Sequence, residues 1–168
     1  YASPMFDGKT RIETGTKFSR RLIESDFSSE SYDVPSDSWV NDSLLENNYD
    51  YDESIAAAYL SATREAGKVK IKAGLRAEYT RYQIDQRTQV STYSNDYMEL
   101  FPSLFITTGI AKETDLQVSY SKRINRPSIN ALNPITDYSD PLNIRTGNPY
   151  LTPEFIHSFE LSAIRYRD

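Results

Sequence analysis

The chain has 168 residues, 38% of them apolar, with a formal net charge of −5 and no cysteine. That length suffices for one domain with its own core, and the missing cysteines exclude disulfides, zinc–thiolate sites and thiol nucleophiles. The acidic balance, with no Lys/Arg cluster, excludes a nucleic-acid surface, which needs grouped cations. No run approaches the roughly 18 apolar residues of a membrane helix, but barrel strands escape such a scan because only every second residue is apolar.

Taken in chain order, Tyr1 leads directly into turn-like Ser3-Pro4 and Asp7-Gly8, so a start cut from a longer chain is expected. Residues 10–23 alternate, with Ile12, Phe18 and Leu22 opposite Arg11, Glu13, Lys17 and Arg21. A long connection follows, about 25–50. Its acidic residues run from Asp26, Glu30, Asp33, Asp37, Asp42 and Glu46 to Asp50, Asp52 and Glu53, with no Lys or Arg between. Residues 51–64 carry Ile55 to Leu60, which could pass for a short helix; the neighbouring strands decide for a strand. After a tight turn at about 66–68, residues 68–82 give the clearest period of two. Val69, Ile71, Ala73, Leu75, Ala77 and Tyr79 oppose Lys68, Lys70, Lys72, Gly74, Arg76, Glu78 and Thr80. A connection at about 84–96 precedes a strand over 97–108, where Phe101 and Phe105 fall on the polar side. A turn at about 109–113 leads to a strand over 114–124, with Leu116, Val118, Tyr120 and Ile124 on one face. The connection at about 125–153 is rich in Pro, Asn and Gly, which set tight turns, so it is expected to be ordered. The last strand, 155–164, places Phe155, Phe159, Leu161 and Ala163 opposite Ser158, Glu160 and Ser162. The final run Ala163–Asp168 is strand-like to its end, so a piece of a longer chain is expected.

The expected fold is all-β: an antiparallel up-and-down meander of about six long strands. Its connections alternate between long and short, which puts every long loop at one end of the sheet. Transmembrane barrels have that asymmetry, and strands of about 9–11 residues suffice to cross a bilayer at a tilt. The 13 tyrosines suit a boundary between apolar and aqueous regions. Six strands do not close a pore, so the piece by itself is expected as a curved sheet, a small closed barrel or a sheet paired with a second copy. The rival reading is a soluble β-sheet module on a cell surface, for example one that binds carbohydrate.

Four ordered segments carry a family resemblance: Tyr97-Met98-Glu99-Leu100-Phe101-Pro102-Ser103-Leu104, Val118 through Arg126-Pro127, Leu132-Asn133-Pro134, and Gly147-Asn148-Pro149-Tyr150-Leu151-Thr152-Pro153-Glu154. Asp50–Ile55 and Ala73–Thr80 extend it upstream. The set resembles the barrel domain of TonB-dependent receptors, in the subfamily with a carboxypeptidase-regulatory-like N-terminal domain. The resemblance implies a bacterial outer-membrane barrel of about 22 strands filled by a plug domain. Such a receptor imports a scarce nutrient with energy passed through TonB. Its implied partners are the lipid bilayer, the plug of the same parent chain, TonB, and a small ligand: an iron chelate, cobalamin, a glycan or a peptide. No cofactor is implied, and the piece would not transport alone.

Candidate sites follow. Arg11, Glu13 and Lys17, with Lys70, Lys72, Arg76 and Glu78, share the polar parity of their strands and are expected to line the lumen. Trp39, Tyr138 and Tyr150 are candidate ligand contacts in the long loops, although Trp39 could equally staple its own loop and 125–153 could serve as a brace. Asn48, Asp50 and Asp52 have the alternate spacing of a calcium loop but lack its glycine and distal glutamate. A solvated acidic loop is therefore preferred, and no metal site is expected. Asn41-Asp42-Ser43 fits a glycosylation sequon, of little weight in a bacterial protein. His157, the lone histidine, is expected on the lipid-facing or interfacial stripe without a partner. No nucleophile–base pair or paired carboxylates can be placed, so no enzyme is expected.

Overall fold

The computed structural model describes residues 2–5, 9–43, 45–138, 140 and 142–166. The turn at Asp7-Gly8, Tyr1, Pro141 and the terminal Arg167-Asp168 lie outside the described residues.

Period-two patterning produces one dominant antiparallel sheet. Its six long strands are β2 (Thr10–Ser25), β5 (Tyr49–Ala66), β6 (Val69–Gln86), β7 (Ser91–Ala111), β8 (Thr114–Asn125) and β11 (Glu154–Arg165). A short strand, β1 (Ala2–Met5), pairs outside β2, so Ser3-Pro4 belongs to a strand and not to a turn. The order β1-β2-β5-β6-β7-β8-β11 is an up-and-down meander. The missing numbers belong to small hairpins in the long connections: β3 (Glu30–Asp33) with β4 (Ser38–Asn41), and β9 (Thr136–Asp137) with β10 (Arg145–Thr146). The sheet is open, with β1 and β11 as unpaired edges, so the small closed barrel is not formed. Six long strands fall short of the eight in the smallest natural pores.

The segment 51–64 is a strand throughout, because both neighbours supply its ladder partners. Between β5 and β6 the chain turns on Gly67, whose φ of 63° suits a residue without Cβ. The expected connection at about 84–96 is only the four-residue stretch 87–90: β6 pairs with β7 out to Gln86↔Ser91. One bend in register, between Gly109 and Ala111, marks the β7–β8 turn.

A small core sits at one end of the sheet. Tyr49 and Tyr51 of β5, Tyr82 and Ile84 of β6, and Leu132 of the short helix α1 (Ile129–Leu132) form it, with Ile23, Tyr93, Tyr97 and Ile129 packed around. Ser128 caps α1 by accepting from the Ala131 N–H, which satisfies one of the free donors of the first turn. The core therefore joins strand ends to the long connection 126–153.

Candidate functional site

Cross-strand partners share a face, so the register sorts every side chain onto one of two surfaces. One carries Arg11, Glu13 and Lys17 of β2, Ser61 and Tyr59 of β5, and Lys70, Lys72, Arg76 and Glu78 of β6. Glu13 pairs with Arg11 at 2.9 Å and with Lys72 at 3.5 Å, and Ser61 donates to it at 3.4 Å. Glu78, 4% exposed, holds both Arg76 and Arg126. The register thus brings all seven sequence-selected charged residues onto one polar face, although Lys17 joins none of these ion pairs and Lys70 pairs instead with Glu65 at 3.1 Å. Phe101 also belongs to this face. It is buried, and its neighbour Glu99 pairs with Lys122 at 3.0 Å.

At the end bearing the long connections, residues 126–153 fold over the polar face. Arg126 donates to Glu78 at 2.6 Å and to the Thr80 hydroxyl at 3.2 Å. Burial pulls its guanidinium pKa down, but the hydrogen bond to Glu78 and the neighbouring Tyr97 hold it above the ordinary arginine value. Further along, Gln86 donates to Asn133 (3.0 Å) and to Asn47 (3.3 Å), and Asn133 donates to Asn47 (3.0 Å). This amide trio ties the connection 26–48, the tip of β6 and the connection 126–153 to one another. Gly147 then lies directly on the α1 end: a Cβ there would collide with the carbonyl oxygens of Asn130, Ala131 and Asn133. Its N–H donates to Asn133 O at 3.1 Å, and that of Asn148 to Ala131 O at 2.7 Å. Between the two connections lies a cleft of about 600 Å³, walled by Phe27, Leu45 and Asn47 on one side and by residues within 130–138 and 145–147 on the other.

The opposite face is apolar and open. Phe18, Leu60, Leu75, Met98 and Leu161 all lie on it, with exposures from 48% (Leu75) to 72% (Leu161). Water-soluble sheets bury such a face; here the charged face is the better covered one. The apolar band also has a defined height. Val69–Tyr79 on β6 rises roughly 33 Å at about 3.3 Å per residue, or about 25 Å across a bilayer at a 40° tilt, which is the band height of outer-membrane barrels. It then stops abruptly. The row Phe18–Ala56–Tyr79–Met98 is apolar or interfacial, and the next row on the same face reads Arg20–Ser54–Arg81–Asp96. Beyond this point the large apolar side chains change parity. On β6 they pass from Leu75 and Tyr79 to Tyr82 and Ile84, and on β5 from Leu60 to Tyr51 and Tyr49, where they are buried under the long connection. A sheet passing from lipid into water inverts its pattern in this way: in lipid the outer face must be apolar, and in water the inner face packs. Residues 1–167 match the family described as outer membrane protein beta-barrel family. The chain belongs to that family. No curated protein matches it.

Members of this family reside in the bacterial outer membrane, and this chain supplies barrel wall there; the family is typically non-enzymatic. Among the described residues no helix is long and apolar enough to cross a membrane; outer-membrane barrels cross with strands instead. The end with the long connections is the outer one by the usual asymmetry of these barrels. The β6–β7 hairpin projects about 18 Å past the apolar band at the same rise and tilt.

The three aromatic candidates are not brought together. Tyr138 lines the cleft. Tyr150 packs edge-on against Tyr93 at 6.0 Å, and Trp39 packs edge-on against its cross-strand partner Tyr32 at 5.5 Å. The Tyr32 hydroxyl donates to Asp37, which raises its pKa. The three residues with calcium-loop spacing are engaged by arginine and backbone: Asp52 with Arg20 (2.7 Å), Asp50 with Arg87 (3.4 Å), and Asn48 with the Phe27 N–H (2.9 Å). His157 lies on the apolar face, as its parity requires, but it has a partner, the Tyr120 hydroxyl at 2.9 Å. Sequence reasoning missed the amide trio and Arg126. Asn133-Pro134 and Arg126-Pro127 signalled turns, but nothing local shows that their side chains reach Asn47 and Glu78.

Proposed function

We propose that the chain is a stretch of barrel wall from a TonB-dependent receptor that binds and imports a scarce nutrient. The observation that carries the reading is the covered polar face: an outer connection is folded inward and bolted to Glu78, Gln86 and Asn47, above a wall lined by paired charges. A simple porin needs an open aqueous lumen, whereas a plugged receptor presents fixed charges to an internal domain and holds its outer loops over the mouth. In this reading Arg11, Glu13, Lys17, Lys70, Lys72, Arg76 and Glu78 face the lumen and meet the plug of the same protein. The segment supplies wall and outer loops, and transport belongs to the complete barrel with its plug, driven through TonB. The soluble-module reading gains nothing here, since it leaves the apolar face from Phe18 to Leu161 without cover.

The test is uptake. In nutrient-limited cells carrying the full-length protein, growth on the limiting nutrient should stop when TonB is deleted and return when it is restored. Uptake that persists without TonB would sink the reading while leaving membership in the barrel family intact.

A further inference from the structure

The cleft between the outer connections has a consistent chemistry, and it rests on rigid supports. Its floor is Asn133, whose amide is held by three hydrogen bonds: Oδ1 accepts from Gln86 and the Ile135 N–H, and Nδ2 donates to Asn47. Gly147, seated on the α1 carbonyls, fixes the far wall. Above that floor the lining sets side-chain amides, hydroxyls and rings among the aliphatic Leu45, Ala131 and Ile135. Asn130 is exposed; Thr136 and Thr146 pair hydroxyl to hydroxyl at 2.9 Å; Tyr138 and Phe27 supply aromatic faces. The charged side chains of the lining, Asp137 and Arg145, sit in cross-strand register, so the wall has no net charge. The loop beside it is anionic, with Asp26, Glu30, Asp33, Asp37, Asp42 and Glu46 and no Lys or Arg over 26–48.

Each feature discriminates among ligands. An anionic chelate would meet the negative field of the loop and find one arginine already facing an aspartate. A cationic peptide would find its carboxylates on the loop, and in the cleft a single one, Asp137, already opposite Arg145. Amides and hydroxyls offer donors and acceptors together, which suits a ligand whose groups do the same, and aromatic faces suit the apolar faces of its rings. The volume lies within the roughly 300–1,000 Å³ of small-molecule sites. The geometry points to a binding site for a short, uncharged, hydroxyl-rich ligand, a neutral oligosaccharide, in the cleft floored by Asn133. This deepens the receptor reading and depends on it for the ligand's onward passage, though not for its binding.

The experiment is calorimetric titration of the detergent-solubilised full-length protein. The probes are glucose-, mannose- and galactose-based neutral trisaccharides, a uronic-acid trisaccharide, a ferric catecholate chelate and a lysine-rich tripeptide. Saturable binding is expected for at least one neutral trisaccharide and for none of the charged probes. Tyr138→Ala and Asn130→Ala, both at exposed positions, should each weaken it at least tenfold, and Lys112→Ala, in the turn at the other end of the sheet, should leave it unchanged. Three results overturn the inference: no neutral trisaccharide binds, a charged probe binds in its place, or neutral binding survives both cleft substitutions. Uptake that persists without TonB while neutral binding is intact would instead fault the receptor reading alone.

Discussion

Glu78 is the most consequential single side chain on the polar face. It is 4% exposed and faces two guanidiniums, Arg76 and Arg126, while the Nε of Arg126 is buried with no hydrogen-bond partner among the described residues. Removing one partner of a buried charge cluster leaves the others uncompensated. Glu78→Gln is therefore expected to destabilise the protein by about 3 kcal/mol, measured as a lower denaturation midpoint of the full-length protein in detergent. An unchanged midpoint would show that water reaches Arg126. Val90 makes the opposite case. It ends the four-residue β6–β7 turn with a φ of 52°, a region that β-branched residues enter only under strain, and its side chain is 89% exposed. Val90→Asn should relieve about 1 kcal/mol of that strain and raise the same midpoint. A fall would mean that Val90 packs against something beyond this sheet.

At the scale of elements, the connection 126–153 behaves as a structured cap because Leu132 fills the space between Tyr51, Tyr82 and Ile84. Leu132→Ala should cost about 3 kcal/mol and should release the cap before the strands part. Limited proteolysis of intact cells would then cut within 126–153 in the variant and not in the parent; equal resistance would show that the amide trio alone retains the cap. The strands themselves were plain in the sequence wherever one face stays apolar, since Ile71, Leu75, Leu116 and Leu161 repeat at a strict period of two. The same rule misjudged 84–96. Past Arg81 the apolar side chains sit on the other parity, and Tyr82, Ile84 and Tyr93 sought in the old phase look like a loop. That the charged residues share one face was equally legible, because Lys72 and Glu13 keep the alternation of their strands. The cleft was not, because Asn47 and Asn133 meet across 86 positions of sequence and no local pattern encodes such a meeting. Aromatic content drew notice to Trp39 and Tyr150, which pack against tyrosines of their own surroundings, and only Tyr138 lies in the cleft.

For the whole molecule, the apolar face fixes how the sheet sits. A charge at mid-band should be costly and one above it harmless: Leu75→Arg is expected to destabilise the membrane-inserted protein by about 2–4 kcal/mol. Arg81→Leu, on the same face one boundary higher, should change little. Cysteines placed at neighbouring positions offer a check of facing, since Ile71→Cys should react with a lipid-soluble maleimide and Lys72→Cys with a water-soluble one only. The reverse pattern would turn the sheet inside out and undo the assignment of lumen and lipid together.

The amide trio bears on the order in which the protein assembles. Neighbouring strands meet through turns as short as Gly67-Lys68, and such local contacts form early. Asn47, Gln86 and Asn133 come from three separate stretches, so their meeting must wait until β5 through β8 are side by side. Wall comes first and mouth last. A chain halted midway through insertion would thus hold paired strands beneath an unsealed outer end, and sealing would serve as the signature of a finished wall.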